Sequence, residues 1–382
     1  MTIYRGGVVA LVSATLLAVA APAQTPNELE KNHGVGDSPE VEPARATDLR
    51  PDLTHDAVRA AMRKVADWQL ERARPYFSDD WTFAALYDGF MAASATLSDA
   101  KYRQAMWEMG TKLKWQPGKR PEHADDVAVG QTYLELYLKR KDPQILPPLI
   151  ERFAYQMGLK DAPAKPLWWW CDALFMAPPT LARLYKATGK VEYLDFMDRE
   201  WWITSKLLYD PEEHLYFRDA TYLSKHEANG RKLFWSRGNG WVMGGTARVL
   251  DYMPGSYPAR TKYVEQFRQM AAAAVKVQGD DGLWRSGLLD AQAYPLPEVS
   301  GSAFITYALA WGVNQGILDR KTYAPAARKA WAGLLAHVYA DGRLGCIQPV
   351  GAAPGQFKAT SSYVYGVGAF LLAGSQMDRL HL

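Results

Sequence analysis

The chain has 382 residues, 48% of them hydrophobic and 22% charged, and 44 Lys+Arg against 41 Asp+Glu leave a formal charge of +3. That composition excludes a disordered chain, and the near balance of charge, with no long basic block, excludes an electrostatic footprint for nucleic acid or an anionic membrane surface. Two cysteines, Cys171 and Cys346, exclude a disulfide scaffold and any multi-cysteine zinc module, so the core has to be held by burial.

Residues 1–23 read as a signal peptide. Arg5 is a positive start, residues 7–21 are apolar or small without charge, and Ala21-Pro22-Ala23 fits an A-x-A cleavage site. The run is short for a membrane span and no later run replaces it, so the mature protein is expected to be exported, periplasmic or secreted, with no integral span. Residues 24–51 follow as a polar, Pro-containing leader. From about residue 52 apolar residues recur at helical spacing, over 55–73, 81–97, 99–115, 125–140, 143–158, 172–188, 191–208, 238–253, 261–278, 301–317, 320–339 and 361–377. Turn and capping signals such as Ser98-Asp99 and Thr188-Gly189-Lys190 separate these twelve segments into six pairs.

An aromatic recurs near the start of several second-layer helices, at Tyr102, Tyr193, Tyr263 and Tyr323. The repeating unit is therefore one helical hairpin, which must bury its apolar face on its neighbours, and six pairs are enough to close a toroid of two concentric rings. We expect one all-α domain over 52–382. Short Gly/aromatic elements at 215–219, 282–285 and 342–345 read as extended loops on one rim, where chemistry usually gathers.

Most catalytic inventories fail. The seven His never pair at i, i+4, and there is no His/Cys cluster, G-x-S-x-G, P-loop or dinucleotide glycine fingerprint, so no metal or cofactor is expected. Acid–base work by Asp or Glu beside aromatic platforms remains. In Trp168-Trp169-Trp170-Cys171-Asp172, with Met176 following, a carboxyl sits among tryptophans; desolvation there would raise its pKa and let it donate a proton, while an N-cap role is the competing reading. In His123-Ala124-Asp125-Asp126 two acids stand at a helix start, where the helix dipole alone explains them; neighbours point about 100° apart, so only one can face a given pocket. In Trp235-Ser236-Arg237-Gly238-Asn239-Gly240-Trp241 a guanidinium between two rings suits a flat anionic sugar whose carboxylate takes a bidentate pair, or is a cation–π element of the core.

Taken in order, Asp125-Asp126 with Gly130 and Tyr133, Trp168 to Pro179, and Trp235-x-Arg237-x-x-x-Trp241 resemble glycoside hydrolase families 105 and 88, the unsaturated rhamnogalacturonyl and glucuronyl hydrolases. The resemblance covers nearly the whole chain after the leader and implies an (α/α)6 barrel. It implies removal of a 4,5-unsaturated uronic acid from the non-reducing end of lyase-made oligosaccharides, of pectin or rhamnogalacturonan type, by hydration of the vinyl ether. Asp172 matches the proton-donating acid, Asp126 or else Asp125 its partner carboxylate, and Trp235, Arg237 and Trp241 the grip on the uronate. His123, Trp170 and Met176 complete the expected substrate contacts. Where some relatives carry a His, this chain has Arg218-Asp219, and Arg218 is expected to add a second grip on an acidic group. An ordinary inverting glycosidase, which needs carboxyls roughly 6.5–9.5 Å apart, and a non-catalytic carbohydrate-binding toroid are the competing readings.

Overall fold

A computed structural model describes residues 27–159 and 166–380, with Thr2. Apart from Thr2, the signal-peptide reading of 1–23 lies outside the described residues. The twelve expected helices are all found: α1 (His55–Ala73), α2 (Trp81–Thr96), α3 (Ala100–Lys112), α4 (Gly130–Arg140), α5 (Leu146–Met157), α6 (Pro178–Thr188), α7 (Glu192–Leu208), α8 (Ser236–Leu250), α9 (Arg260–Lys276), α10 (Val299–Asn314), α11 (Arg320–Leu335) and α12 (Val364–Met377). The expected helix over 172–188 is broken, because Pro178 and Pro179 cannot donate into a preceding turn; one turn at 173–176 stops and α6 starts afresh with proline in its first turn.

Odd-numbered helices form an outer ring and even-numbered helices an inner one. Each inner helix packs on the next, and α12 returns to α2, so the ring closes as an (α/α)6 barrel. The sequence explains the division. In α5, Leu149, Phe153 and Gln156 make one buried stripe, whereas every residue of α12 is buried, and a helix without a polar face belongs inside. The crossing of α2 with α12 brings backbones together: a methyl group added to Gly368 would collide with the Ala85 carbonyl oxygen. Tyr102, Tyr193 and Tyr263 are buried in the first turns of their outer helices, as the repeat requires, and Tyr323 is half-buried.

Strict outer–inner alternation makes all six inner helices run the same way, so their N-termini share one rim. The loops there are stitched together by short pairings. β1 (Gly36–Asp37), from the leader, pairs antiparallel with β4 (Ser362–Tyr363), which leads into α12; β2 (Tyr209–Asp210) pairs with β3 (Leu215–Tyr216). Single bridges join Trp170 to Asp219 and Trp235 to Gly287. The described part of the leader is thus bound to the barrel, with Asp37 engaging Arg72 and Arg343 at 2.6 Å each. Both cysteines are buried and free. Among the described residues no helix is long and apolar enough to cross a membrane.

Candidate active site

Where the inner helices begin, the rim encloses a cavity of about 150 Å³. The segment ahead of α6 contributes Trp170, Asp172 and Met176, and the loop ahead of α4 contributes Asp125. Arg218 enters beyond β3, Trp235, Arg237 and Trp241 from the start of α8, and Trp81 from the first residue of α2. Val350 and Gly351 close one side from the loop before α12. Eight of the ten expected residues therefore meet in one place; Asp126 and His123 are not on its wall.

Asp172 stands just before the 173–176 turn, yet its side chain accepts no hydrogen bond from the helix amides, so the capping reading does not hold. The carboxyl is free to face the cavity while only 8% of the residue is exposed. Burial holds its pKa above the ordinary carboxylate value, with Arg218 and then Arg237 opposing. The Cys171 amide donates to the Arg218 carbonyl at 2.8 Å, which brings the Arg218 Nε within 3.5 Å of Asp172 Oδ2. The Cys171 thiol, itself raised by burial, lies 3.6 Å from Oδ1. Gly238 lets α8 start against this carboxyl, since a methyl group there would stand 3.6 Å from Oδ1 and 3.1 Å from the Cys171 sulfur. The three tryptophans divide their duties. Trp168 turns into the core against Phe196, Trp169 faces an adjoining cleft, and only Trp170 walls the cavity.

Of the two adjacent acids, Asp125 lies on the cavity wall and Asp126 does not. Asp126 is engaged elsewhere. Its Oδ1 accepts from the Arg120 Nε at 2.9 Å and Nη2 at 2.6 Å, and its Oδ2 accepts from the Arg120 amide at 2.6 Å. That grip turns Asp126 back toward its own loop, and the one-residue rotation presents Asp125 inward. The Asp125 carboxyl is pushed up to about 7, chiefly by burial and then by the charge of Asp172, with Arg120 opposing. His123 also lies off the cavity wall. Its ring packs on Trp170 with centroids 4.6 Å apart, and its Nδ1 lies 3.4 Å from Asp125 Oδ2. From there it lines a neighbouring cleft of about 650 Å³.

Arg237 is fully buried, between Trp235 at 4.4 Å and Tyr365 at 4.8 Å. Its Nη1 donates to the Gln348 carbonyl at 2.6 Å and Nη2 to the Pro349 carbonyl at 2.8 Å, while its Nε has no hydrogen-bond partner. Those two bonds mount the loop that carries Val350 and Gly351, and Arg237 also lies on the cavity wall. Gln348 reinforces the mount by accepting from Trp235 Nε1 at 2.9 Å and Ser286 Oγ at 2.8 Å, and its amide donates to buried Glu298 at 3.0 Å. Arg218 is split between Asp219, at 2.7 Å, and the cavity side, where its Nε has no hydrogen-bond partner. Sequence reasoning missed Trp81, Val350 and Gly351. Trp81 carries a usable signal, an aromatic opening an inner helix directly after its Asp80 cap.

The model of Glycosyl Hydrolase Family 88 matches residues 53–381. The chain belongs to that family. Among relatives, it is 43% identical over 349 residues to the unsaturated 3S-rhamnoglycuronyl hydrolase of Formosa agariphila, covering 86% of this chain and 92% of that one. It is 31% identical over 376 residues to the protein of the same name from Alteromonas sp., covering 89% and 91%. Among solved structures, a family 88 glycosyl hydrolase from Bacteroides vulgatus superposes with a TM-score of 0.82 at 32% identity, over 86% of this chain and all of that one. This family 88 chain is a glycoside hydrolase, and its cavity is the place to seek the chemistry.

Proposed function

We propose that this hydrolase releases a 4,5-unsaturated uronic acid from the non-reducing end of lyase-generated oligosaccharides by hydrating the vinyl ether. The observation that carries the reading is the aromatic-walled Asp172, a carboxyl kept above its ordinary pKa and used by no cap, with the raised Asp125 beside it. Protonating carbon asks for an acid that holds its proton near neutral pH until substrate arrives. Asp172 gives that proton to C4, and the positive charge left at C5 is shared with the ring oxygen. Water then adds at C5, and Asp172 takes back a proton from it while Asp125 holds the water or a sugar hydroxyl. The hemiketal formed at C5 opens to a ketone, which leaves C1 as a hemiacetal that expels the next sugar. One water is consumed and the acid is regenerated.

The electrostatics favour an anionic ring. Inner-helix N-termini converge on the rim, and positive partial charge gathers where the first amides have no helical partner. Arg218 and buried Arg237 add full charges at the wall. The cavity is small beside the roughly 300–1,000 Å³ of sites for drug-sized ligands, which suits one sugar ring rather than a chain segment. The names of the two relatives support an unsaturated uronyl–rhamnose substrate over a general pectic one. The deciding experiment follows loss of the enoate ultraviolet absorbance with lyase-generated oligosaccharides of rhamnose-containing, pectic and glycosaminoglycan type. Asp172→Asn should cut turnover by at least roughly 10³-fold while the sugar still binds. Retained turnover in that variant, or no absorbance loss with any lyase product, rejects the reading. Export is proposed on the N-terminal segment alone, and a mature protein starting at Gln24 in the exported fraction would support it.

A further inference from the structure

The leader reaches the cavity wall by a continuous run of contacts. Asp37 of β1 is held between two guanidiniums, Arg72 and Arg343 at 2.6 Å each, and both of these lie over the ring of Trp68, at 4.8 and 5.0 Å from its centroid. Two like charges sharing one ring repel, so the Asp37 carboxylate is what holds them together. Arg343 also donates to the Thr360 carbonyl at 3.3 Å, which carries the clamp into the segment beside the leader. There the Ser38 and Ser361 hydroxyls meet at 2.8 Å, and Thr360 Oγ1 donates to the Pro39 carbonyl at 2.6 Å. The same segment accepts from the Cys346 amide at the Ala359 carbonyl, at 2.8 Å, and from the Ile347 amide at the Ser361 carbonyl, at 3.0 Å. Gln348 follows at once, and its carbonyl takes both Arg237 Nη1 and the Tyr365 hydroxyl at 2.6 Å. A second route runs through rings: Tyr363 of β4 stacks on Tyr365 with centroids 5.9 Å apart, and Tyr365 on Trp81 at 5.5 Å. Both routes end at the cavity, one at Val350 and Gly351 and the other at Trp81.

We propose that the leader is a working part of the active site, with Asp37 as a positioning residue that sets the Val350–Gly351 side and the Trp81 face of the cavity without touching the sugar. The inference rests on the reading of this cavity as the site of hydrolysis. Residues 349–357 have no helix or strand of their own, so their attachments alone hold them. A segment of that kind opens locally at far less than the cost of global unfolding, and the leader is the outermost layer of what restrains it. Asp172 is fixed by a different bond, from the Cys171 amide to the Arg218 carbonyl. Loosening the leader should therefore weaken the hold on the sugar more than the proton transfer.

The test follows loss of the enoate absorbance of an unsaturated uronyl disaccharide with full-length variants. Asp37→Asn should raise KM by roughly tenfold and leave kcat within about twofold, the pattern of lost ground-state binding. Asp37→Glu, which keeps the carboxylate, should recover most of that KM. A role in stability alone reads differently, because a smaller folded fraction scales the apparent kcat and leaves KM as it was. Should Asp37→Asn fail to fold, Thr360→Val removes only the bond to Pro39 and should raise KM a few-fold. An unchanged KM in the folded variants, or a loss confined to kcat, overturns the proposal. If the wild type consumes no lyase product, the hydrolase reading itself fails and the leader's role falls with it, a result distinct from normal wild-type turnover with a KM indifferent to Asp37.

Discussion

Replacing Asp125 by Asn should make this protein more stable at alkaline pH and leave the difference small in acid. The folded carboxyl titrates at about 7 against an ordinary 3.8. That gap of a little over three pH units, at 1.36 kcal/mol each, is about 4 kcal/mol. The side chain is only 15% exposed, so solvent screens little of it. Because the folded pKa is the higher one, the native state holds more protons than the unfolded chain between about pH 4 and pH 7, and stability falls as pH rises through that window. Below about pH 4 both states are protonated and the stabilising contribution is complete. Asn never ionises, so the variant escapes the loss. For the roughly 330 residues of the family match, an unfolding entropy near 2.1 cal/mol/K per residue gives about 0.7 kcal/mol/K, and 4 kcal/mol becomes a Tm gain of about 6 °C. Calorimetric unfolding of wild type and variant in parallel at pH 5, 6, 7 and 8 reads the effect, with the gap opening between pH 5 and pH 8. A gap that is constant with pH, or that closes as pH rises, refutes the placement of Asp125 in the dry cavity.

Two further outcomes follow from the assigned contacts. Asp126→Asn gives up the charge that holds Arg120, at a cost of about 1.5–3 kcal/mol for a charge-assisted hydrogen bond, and chemical denaturation should show that loss. Its turnover should fall far less than that of Asp125→Asn, and equal losses would return Asp126 to the chemistry. Arg237→Lys keeps the charge but cannot reach both the Gln348 and Pro349 carbonyls, so it should lose about 1.5–3 kcal/mol of stability and raise KM through a loosened Val350–Gly351 wall. An unaltered KM with unaltered stability would show that the mount is dispensable.

The fold was legible in the sequence because its information is local. An outer helix such as α5 writes its buried stripe at i, i+4, i+7, and an inner helix such as α12 shows an unbroken apolar run. The boundary errors have local causes too, as at Pro178-Pro179. The site was legible only where one segment carries several members, as around Asp172 and Arg237. What decides between Asp125 and Asp126 is a guanidinium six residues upstream, and the loop that closes the cavity hangs from Arg237 across more than a hundred residues of sequence. β1 and β4 are two residues each and have no pattern to read; their pairing exists only because the barrel delivers both to the same rim.

Two raised carboxyls sharing one small cavity also imply that substrate binding helps to load the acid. Near pH 7 Asp125 is about half protonated, and Asp172 is biased in the same direction. A uronate carboxylate entering the cavity adds a third negative charge, and like charge at close range favours the protonated form of its neighbours. Binding should therefore take up protons, with the uptake belonging to the acid pair rather than to one residue. A saturated uronate, which has no double bond to consume, isolates this step. Titration calorimetry at pH 7 in buffers of different ionisation enthalpy should give a binding enthalpy that changes with the buffer in the direction of proton uptake, and the slope should shrink toward pH 5, where Asp125 already holds its proton. Proton release, or no buffer dependence at pH 7, would mean that the ligand's charge is neutralised by Arg218 and the helix ends before the carboxyls sense it, and that Asp172 must keep its proton by burial alone.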